Sequence, residues 1–230
     1  RMGCRFCAST IGGLKRNLTP GEIAGQILAA QRETGQRISH VVVMGTGEPF
    51  DNYENLAKFL HIIHDPNGLN LSMRNITVST CGLVPMIARF AEDFPQVNLA
   101  ISLHAVSNEM RDEIMPVNKA YPMETLLSAC RDYTQKTARR VTFEYTLVKG
   151  VNDSAEYARK LAARLQGMLC HVNLIPLNKV EETGYDTSER CAVLRFQQVL
   201  TECGIPATIR RELGDDIDAA CGQLRLAENG

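Results

Sequence analysis

The sequence carries almost no net charge: 25 lysines and arginines stand against 26 aspartates and glutamates, leaving −1 at pH 7. The balance argues against binding nucleic acid by bulk charge alone, while local basic patches remain open. Long apolar runs are also missing. A membrane-spanning helix needs about 18 or more consecutive apolar residues, and the richest stretch, Val41 to Met44, is only strand-sized. Eight cysteines in 230 residues fall short of a secreted disulfide scaffold, and their spacing is irregular. The opening Arg1-Met2-Gly3-Cys4 has no apolar signal-peptide core. These absences predict a reducing, cytoplasmic setting with no membrane partner. Repeats, low-complexity stretches and linkers are lacking too, so residues 1–230 are expected to form one domain. With 44% hydrophobic and 22% charged residues, the chain can build a substantial core and is neither disordered, collagen-like nor a coiled coil.

What is present is an alternation of strand-like and helix-period segments. Strands are predicted at His40–Met44, Asn75–Thr80, Val97–Leu103, Arg140–Leu147 and His171–Leu177, with a weaker one at Pro206–Arg210. Each is short, rich in β-branched or aliphatic residues, and bounded by Gly, Pro or Asn. Their near-continuous apolarity predicts strands covered on both faces, as in a parallel sheet. Thr19-Pro20-Gly21-Glu22 reads as a helix-starting capping box, and Gly35 closes that helix. Met123, Leu126, Leu127, Cys130 and Tyr133 follow helical spacing. So do Ala158, Leu161, Ala162, Leu165 and Met168, and then Val193, Phe196, Leu200 and Cys203. Repeated β/α units give a parallel α/β sheet, doubly wound or curled into a barrel.

Either architecture puts ligands at the carboxyl ends of the strands. Those ends read Gly45-Thr46-Gly47-Glu48-Pro49, Ser79-Thr80-Cys81-Gly82, Ser102-Leu103-His104 and Pro176-Leu177-Asn178. One small or polar strand end is ordinary turn chemistry; four on one rim favour a site. Among the cysteines, Cys130 and Cys203 read as inert core residues, Cys170 and Cys191 as structural, and Cys81 as ambiguous. Cys4 and Cys7 form a C-x-x-C that a zinc site, a dithiol or an iron–sulfur site could each use. Cys221 sits among small residues in Asp218-Ala219-Ala220-Cys221-Gly222, where a reactive thiol and a packed tail cysteine are equally open readings. Arg139-Arg140 and Arg210-Arg211 could contact phosphates, though a solvated surface pair is the commoner role.

Arg1-Met2-Gly3-Cys4-Arg5-Phe6-Cys7 resembles the last seven positions of the radical-SAM C-x-x-x-C-x-x-C motif. Gly45-Thr46-Gly47-Glu48-Pro49 resembles the element that grips the methionine part of S-adenosylmethionine. Arg111-Asp112-Glu113-Ile114-Met115-Pro116-Val117-Asn118-Lys119, Asn173-Leu174-Ile175-Pro176 and Asp215 to Leu224 extend the likeness over nearly the whole chain. The chain is similar to the radical-SAM RNA adenine methyltransferases, the RlmN/Cfr family. That resemblance implies an α/β fold, a partial (β/α)6 TIM-like barrel lacking its first strand. It implies Cys4 and Cys7 as ligands of a [4Fe–4S] cluster, and Gly47, Glu48, Ser79, Ser102, Leu103, His104 and Asn178 as S-adenosylmethionine contacts. Cys221 would carry the methyl group on its sulfur before radical transfer to C2 of an adenine.

The implied partners are 23S rRNA, tRNA and a flavodoxin-like electron donor. The family's first cluster cysteine would fall just before Arg1, and its resolving cysteine, general base and small RNA-binding domain further upstream. The chain is therefore expected to be a piece of a longer protein, inactive alone and with an exposed strand edge. Rival readings are the branch of the family that methylates adenine C8, a non-catalytic RNA- or metal-binding module, and a zinc protein.

Overall fold

The computed structural model describes residues 2–10, 13–178 and 184–211. Six strands run β1 (Val41–Val43), β2 (Ile76–Thr80), β3 (Asn98–Ser102), β4 (Val141–Leu147), β5 (Cys170–Pro176) and β6 (Ala207–Ile209). All are parallel and paired in sequence order, β1-β2-β3-β4-β5-β6. The helices are α1 (Pro20–Thr34), α2 (Tyr53–His64), α3 (Val84–Asp93), α4 (Asn108–Ile114), α5 (Met123–Thr137), α6 (Ala155–Leu165) and α7 (Arg190–Glu202). Every predicted strand is present. At the carboxyl end of the sheet, the Arg210 guanidinium beyond β6 approaches the Met44 sulfur beyond β1 at 3.6 Å. The sheet therefore curls its two edges toward each other, the partial barrel expected from the sequence. No described helix is long and apolar enough to cross a membrane.

Local chemistry sets the elements. α1 starts where Thr19 Oγ1 accepts from the Glu22 amide and Glu22 Oε2 accepts from the Thr19 amide; it ends at Gly35, whose φ of 66° suits a residue without Cβ. Arg16 pairs with the same glutamate at 2.6 Å. Helix faces bury Phe59, Ile87, Leu126, Leu161 and Phe196 against the sheet.

The strands differ from expectation. They are not apolar on both faces but alternate with period two. Ile76 and Val78, Leu99 and Ile101, Val141, Phe143 and Tyr145, and Val172 and Leu174 face the helices in the core. Between them, Thr77 and Ser79, Ser102, Thr142, Glu144 and Thr146, and Asn173 face the barrel interior. Burial of both faces hides the alternation from a reading that asks only for hydrophobic runs.

Two cysteines also depart from the sequence reading. Cys130 and Cys170 are buried, but Cys203 and Cys191 are exposed. α7 ends at Glu202, so Cys203 is its C-terminal cap and has left the helical face its spacing suggested. Cys191 lies at the start of α7 with its thiol toward Glu189. Met168 likewise follows the end of α6, although it still packs on the core.

Candidate functional site

One cavity of about 680 Å³ opens at the carboxyl ends of the strands and extends into the barrel. Cys4, Cys7, Gly47, Glu48, Ser79, Ser102, His104 and Asn178 all line it. The structure thus brings together seven of the nine side chains singled out by sequence, with Gly47 contributing backbone. Leu103 is buried in the core instead, and its carbonyl points to Arg111. Cys221 lies outside the described residues.

The loop after β1 is the most contorted segment here. Gly45, Thr46 and Gly47 have φ of 95°, 43° and 148°. Two of these are tolerable only because they are glycine, and Thr46 is a β-branched residue in a region such residues avoid. Strain of this kind persists where surrounding structure imposes it, and it clusters at ligand sites. What holds the loop is Glu48. Its Oε1 accepts from the Phe50 amide at 3.0 Å, and its Oε2 accepts from both the amide and the thiol of Cys81 at 2.7 Å. The end of β1 is thereby tied to the end of β2, and Cys81, ambiguous in the sequence, is a strap for Glu48. Burial pushes the Cys81 thiol far up and the Glu48 charge adds to this, so the sulfur remains a protonated donor.

His104 is the second strained residue, with φ of 55°. Its Nδ1 accepts from the Thr146 amide at 2.9 Å, which places the proton on Nε2. Burial first, and the Arg111 charge second, hold it neutral down to about 3. Asn152, wholly buried, fixes the backbone by donating to the His104 and Thr146 carbonyls at 2.9 and 2.8 Å. His104 therefore enters the cavity wall as a neutral ring with a donor nitrogen, packed edge-to-face with Phe6.

Cys4 and Cys7 sit in a short turn bound by Thr10, whose hydroxyl donates to the carbonyls of both. The turn rests on α4, where the Arg5 amide donates to the Ile114 carbonyl at 3.0 Å. A small apolar cluster of Phe6, Cys81, Ala105, Ile114, Met115, Val148 and Leu177 lies beneath it. Burial, followed by the neighbouring Cys7, pushes the Cys4 thiol up to about 11. Two free thiols on one wall suit a soft thiophilic metal group. Among the described residues no third His, Cys, Asp or Glu completes a metal-holding group with them. Two thiols are donors of the kind an iron–sulfur cluster takes, and as a donor set they are compatible with two of its ligand positions.

Of the inner polar row, sequence reading found only Ser102 and gave Glu144 and Asn173 no role. Ser102, Glu144 and Asn173 are register partners across β3, β4 and β5, and Asn173 Nδ2 donates to Glu144 Oε2 at 2.8 Å. Burial raises the Glu144 carboxyl above its ordinary value. The signal was present in Val141-Thr-Phe-Glu-Tyr-Thr-Leu147, where every second residue is polar. The arginine pairs separate. Arg139 and Arg140 lie at the amino end of β4, remote from the mouth, where Arg139 bonds the Asn98 amide oxygen. Arg210 lines the cavity.

Comparison with known proteins agrees with this geometry. The model of the Radical SAM superfamily matches residues 1–162. The chain is 55% identical to a probable dual-specificity RNA methyltransferase RlmN of Desulforamulus reducens, over 98% of this chain and 64% of that protein. A protein of the same name from Geobacillus kaustophilus is also 55% identical, over 99% of this chain and 63% of its own length. The chain thus spans under two thirds of the length of these curated relatives. The crystal structure of a radical SAM methyltransferase from Sphaerobacter thermophilus superposes with a TM-score of 0.94 at 50% identity, covering 97% of this chain and 67% of that one.

Proposed function

Since the chain belongs to the Radical SAM superfamily, whose cofactors are a [4Fe–4S] cluster and S-adenosylmethionine, we propose that it is the core, residues 1–230, of an RNA methyltransferase. The reading is an adenine-C2 methyltransferase acting on 23S rRNA and tRNA through a methylated Cys221, with a flavodoxin-like protein as electron donor. The observation that carries it is the convergence of Cys4 and Cys7 with the ends of four different strands on one cavity, in a chain 55% identical to proteins named dual-specificity RNA methyltransferases.

When bound, the cluster supplies an electron and S-adenosylmethionine supplies the methyl group and a hydrogen-abstracting radical. The chain's own residues hold and shield. Cys4 and Cys7 would ligate iron as thiolates. The Gly45–Gly47 loop, braced by Glu48, offers backbone to the amino-acid end of a ligand, and the Glu48 carboxylate retains acceptor capacity for an ammonium group. His104 donates through Nε2 without gaining charge, and Ser79, Ser102 and Asn178 add short polar contacts. Adenine C2 is electron-poor and is no nucleophile toward a sulfonium methyl, whereas a cysteine thiolate is a good one. This chemistry gives Cys221 its role. The adenine must leave its stack to reach an interior site.

Peptide mass spectrometry on the full-length protein from cells tests this. Trypsin releases residues 212–225, and one added methyl on Cys221 is the expected result. An unmodified Cys221 beside an intact cluster and available S-adenosylmethionine would remove the carrier role. Nucleoside analysis of the RNA product then distinguishes 2-methyladenosine from 8-methyladenosine.

A further inference from the structure

The stretch Arg111 to Lys119 stands out in the sequence, yet its side chains enter the chemistry above only through the Arg111 charge near His104. The structure gives it one. Arg111 is wholly buried. Its Nη2 donates to the carbonyls of Cys81 and Ser102 at 2.7 and 3.2 Å, its Nε to the carbonyl of Leu103 at 3.2 Å, and its Nη1 to Asn118 Oδ1 at 3.2 Å. Each of these acceptors is neutral, so the guanidinium keeps its full charge in a dry setting, where charges act over longer distances than in water. Two carboxylates are each one step removed: Asn118 Nδ2 donates to Asp112 Oδ1 at 2.8 Å, and the Cys81 amide donates to Glu48 Oε2 at 2.7 Å. The same short helix, α4, receives the Arg5 amide through Ile114, so one element carries both the buried cation and the Cys4–Cys7 turn.

Resting on the cluster reading above, we propose that Arg111 is a positioning residue that acts through its charge. It would be a fixed counter-ion to a cluster held at Cys4 and Cys7, and would make that cluster easier to reduce. A [4Fe–4S] group held by thiolates is anionic, and reduction adds one further negative charge. A permanent cation nearby therefore favours the reduced state, because local charge is one of the protein's levers on cluster potential. Arg111 grips the Cys81 carbonyl at 2.7 Å, and Cys81 belongs to the same small cluster against which Cys4 and Cys7 pack. Its hydrogen bonds to three strand-end carbonyls hold it there without cancelling its charge.

The midpoint potential of the cluster in the full-length, anaerobically reconstituted protein tests this. Dithionite is the titrant, oxidised to sulfite while each cluster gains one electron. Arg111→Gln should lower the potential, whereas Arg111→Lys, which keeps the charge but not the fork, should stay near the parent. Asp112→Asn leaves an oxygen for Asn118 and removes a negative charge, so it should raise the potential. This variant decides the matter even if Arg111→Gln does not fold. Equal potentials in all loaded variants would overturn the proposal. So would a Lys variant that falls as far as Gln, which would leave Arg111 a hydrogen-bond clamp only. A parent protein that takes up no iron and sulfide is a different result: it sinks the cluster reading itself.

Discussion

At His104, burial and one backbone hydrogen bond decide where the proton sits. The folded chain refuses a proton at this ring until about pH 3, whereas the unfolded chain accepts one near 6.5. Below 6.5 the unfolded state therefore binds more protons. The site's stability is complete above about pH 6.5 and falls as the pH drops toward about 3, at up to about 1.4 kcal/mol per pH unit. His104→Asn, which tolerates the left-handed backbone, should flatten this acid limb in thermal melts taken from pH 7 to 4. Cys81 makes a complementary point. Cys81→Ser keeps a donor for Glu48 and should bind S-adenosylmethionine nearly as the parent does. Cys81→Ala loses a hydrogen bond to a charged group, about 1.5–3 kcal/mol, and titration calorimetry should show correspondingly weaker binding. Residue types were legible in the sequence where periodicity settled them, as at Cys130. They were not at Cys203, because the spacing continues past the point where α7 stops.

At the scale of the element, all six strands and the capping box of α1 were readable, since each is set by local propensity and turn chemistry. The inward polar row shows as alternation in β4, but that its polar residues face a chamber depends on closure of the sheet, a tertiary event. That row makes a paired prediction on β2. Thr77→Val should leave unfolding free energy nearly unchanged. Its neighbour Val78→Thr places a hydroxyl in the helix-packed core and should cost about 1–3 kcal/mol in denaturant titration. Gly82 ties β2 to α5. A Cβ there would lie 2.9 Å from Leu126 Cδ1, at a φ of 102°. Gly82→Ala should therefore destabilise by about 1–3 kcal/mol. Adding Leu126→Ala should relieve only the steric share, which a double-mutant cycle reads directly.

At the scale of the whole molecule, the described residues form two apolar bodies of unequal size. The large one joins sheet and helices; the small one lies under the Cys4–Cys7 turn and draws on α4 and the loops after β2, β3, β4 and β5. Residues 2–10 meet the rest of the described chain through that small cluster and the Arg5–Ile114 backbone bond. Phe6→Ala should accordingly speed amide exchange across this segment while the global unfolding midpoint moves little. The site's rim was legible because strand ends are where such folds bind ligands. The platform beneath it was not, since only the folded chain shows that the helix carrying Arg111 also takes the Arg5 amide at Ile114.

The alternation along the strands also governs how this protein can change. Ligand-facing and core-facing residues are interleaved one by one, so a point substitution at Thr77, Thr142 or Asn173 alters the chamber while sparing the hydrophobic packing. An insertion or deletion within β4 does the reverse. It would swing Phe143 and Tyr145 into the chamber and drive Glu144 among the helices, ending binding and folding together. The chamber is thus open to gradual retuning by substitution, and its strand lengths are locked.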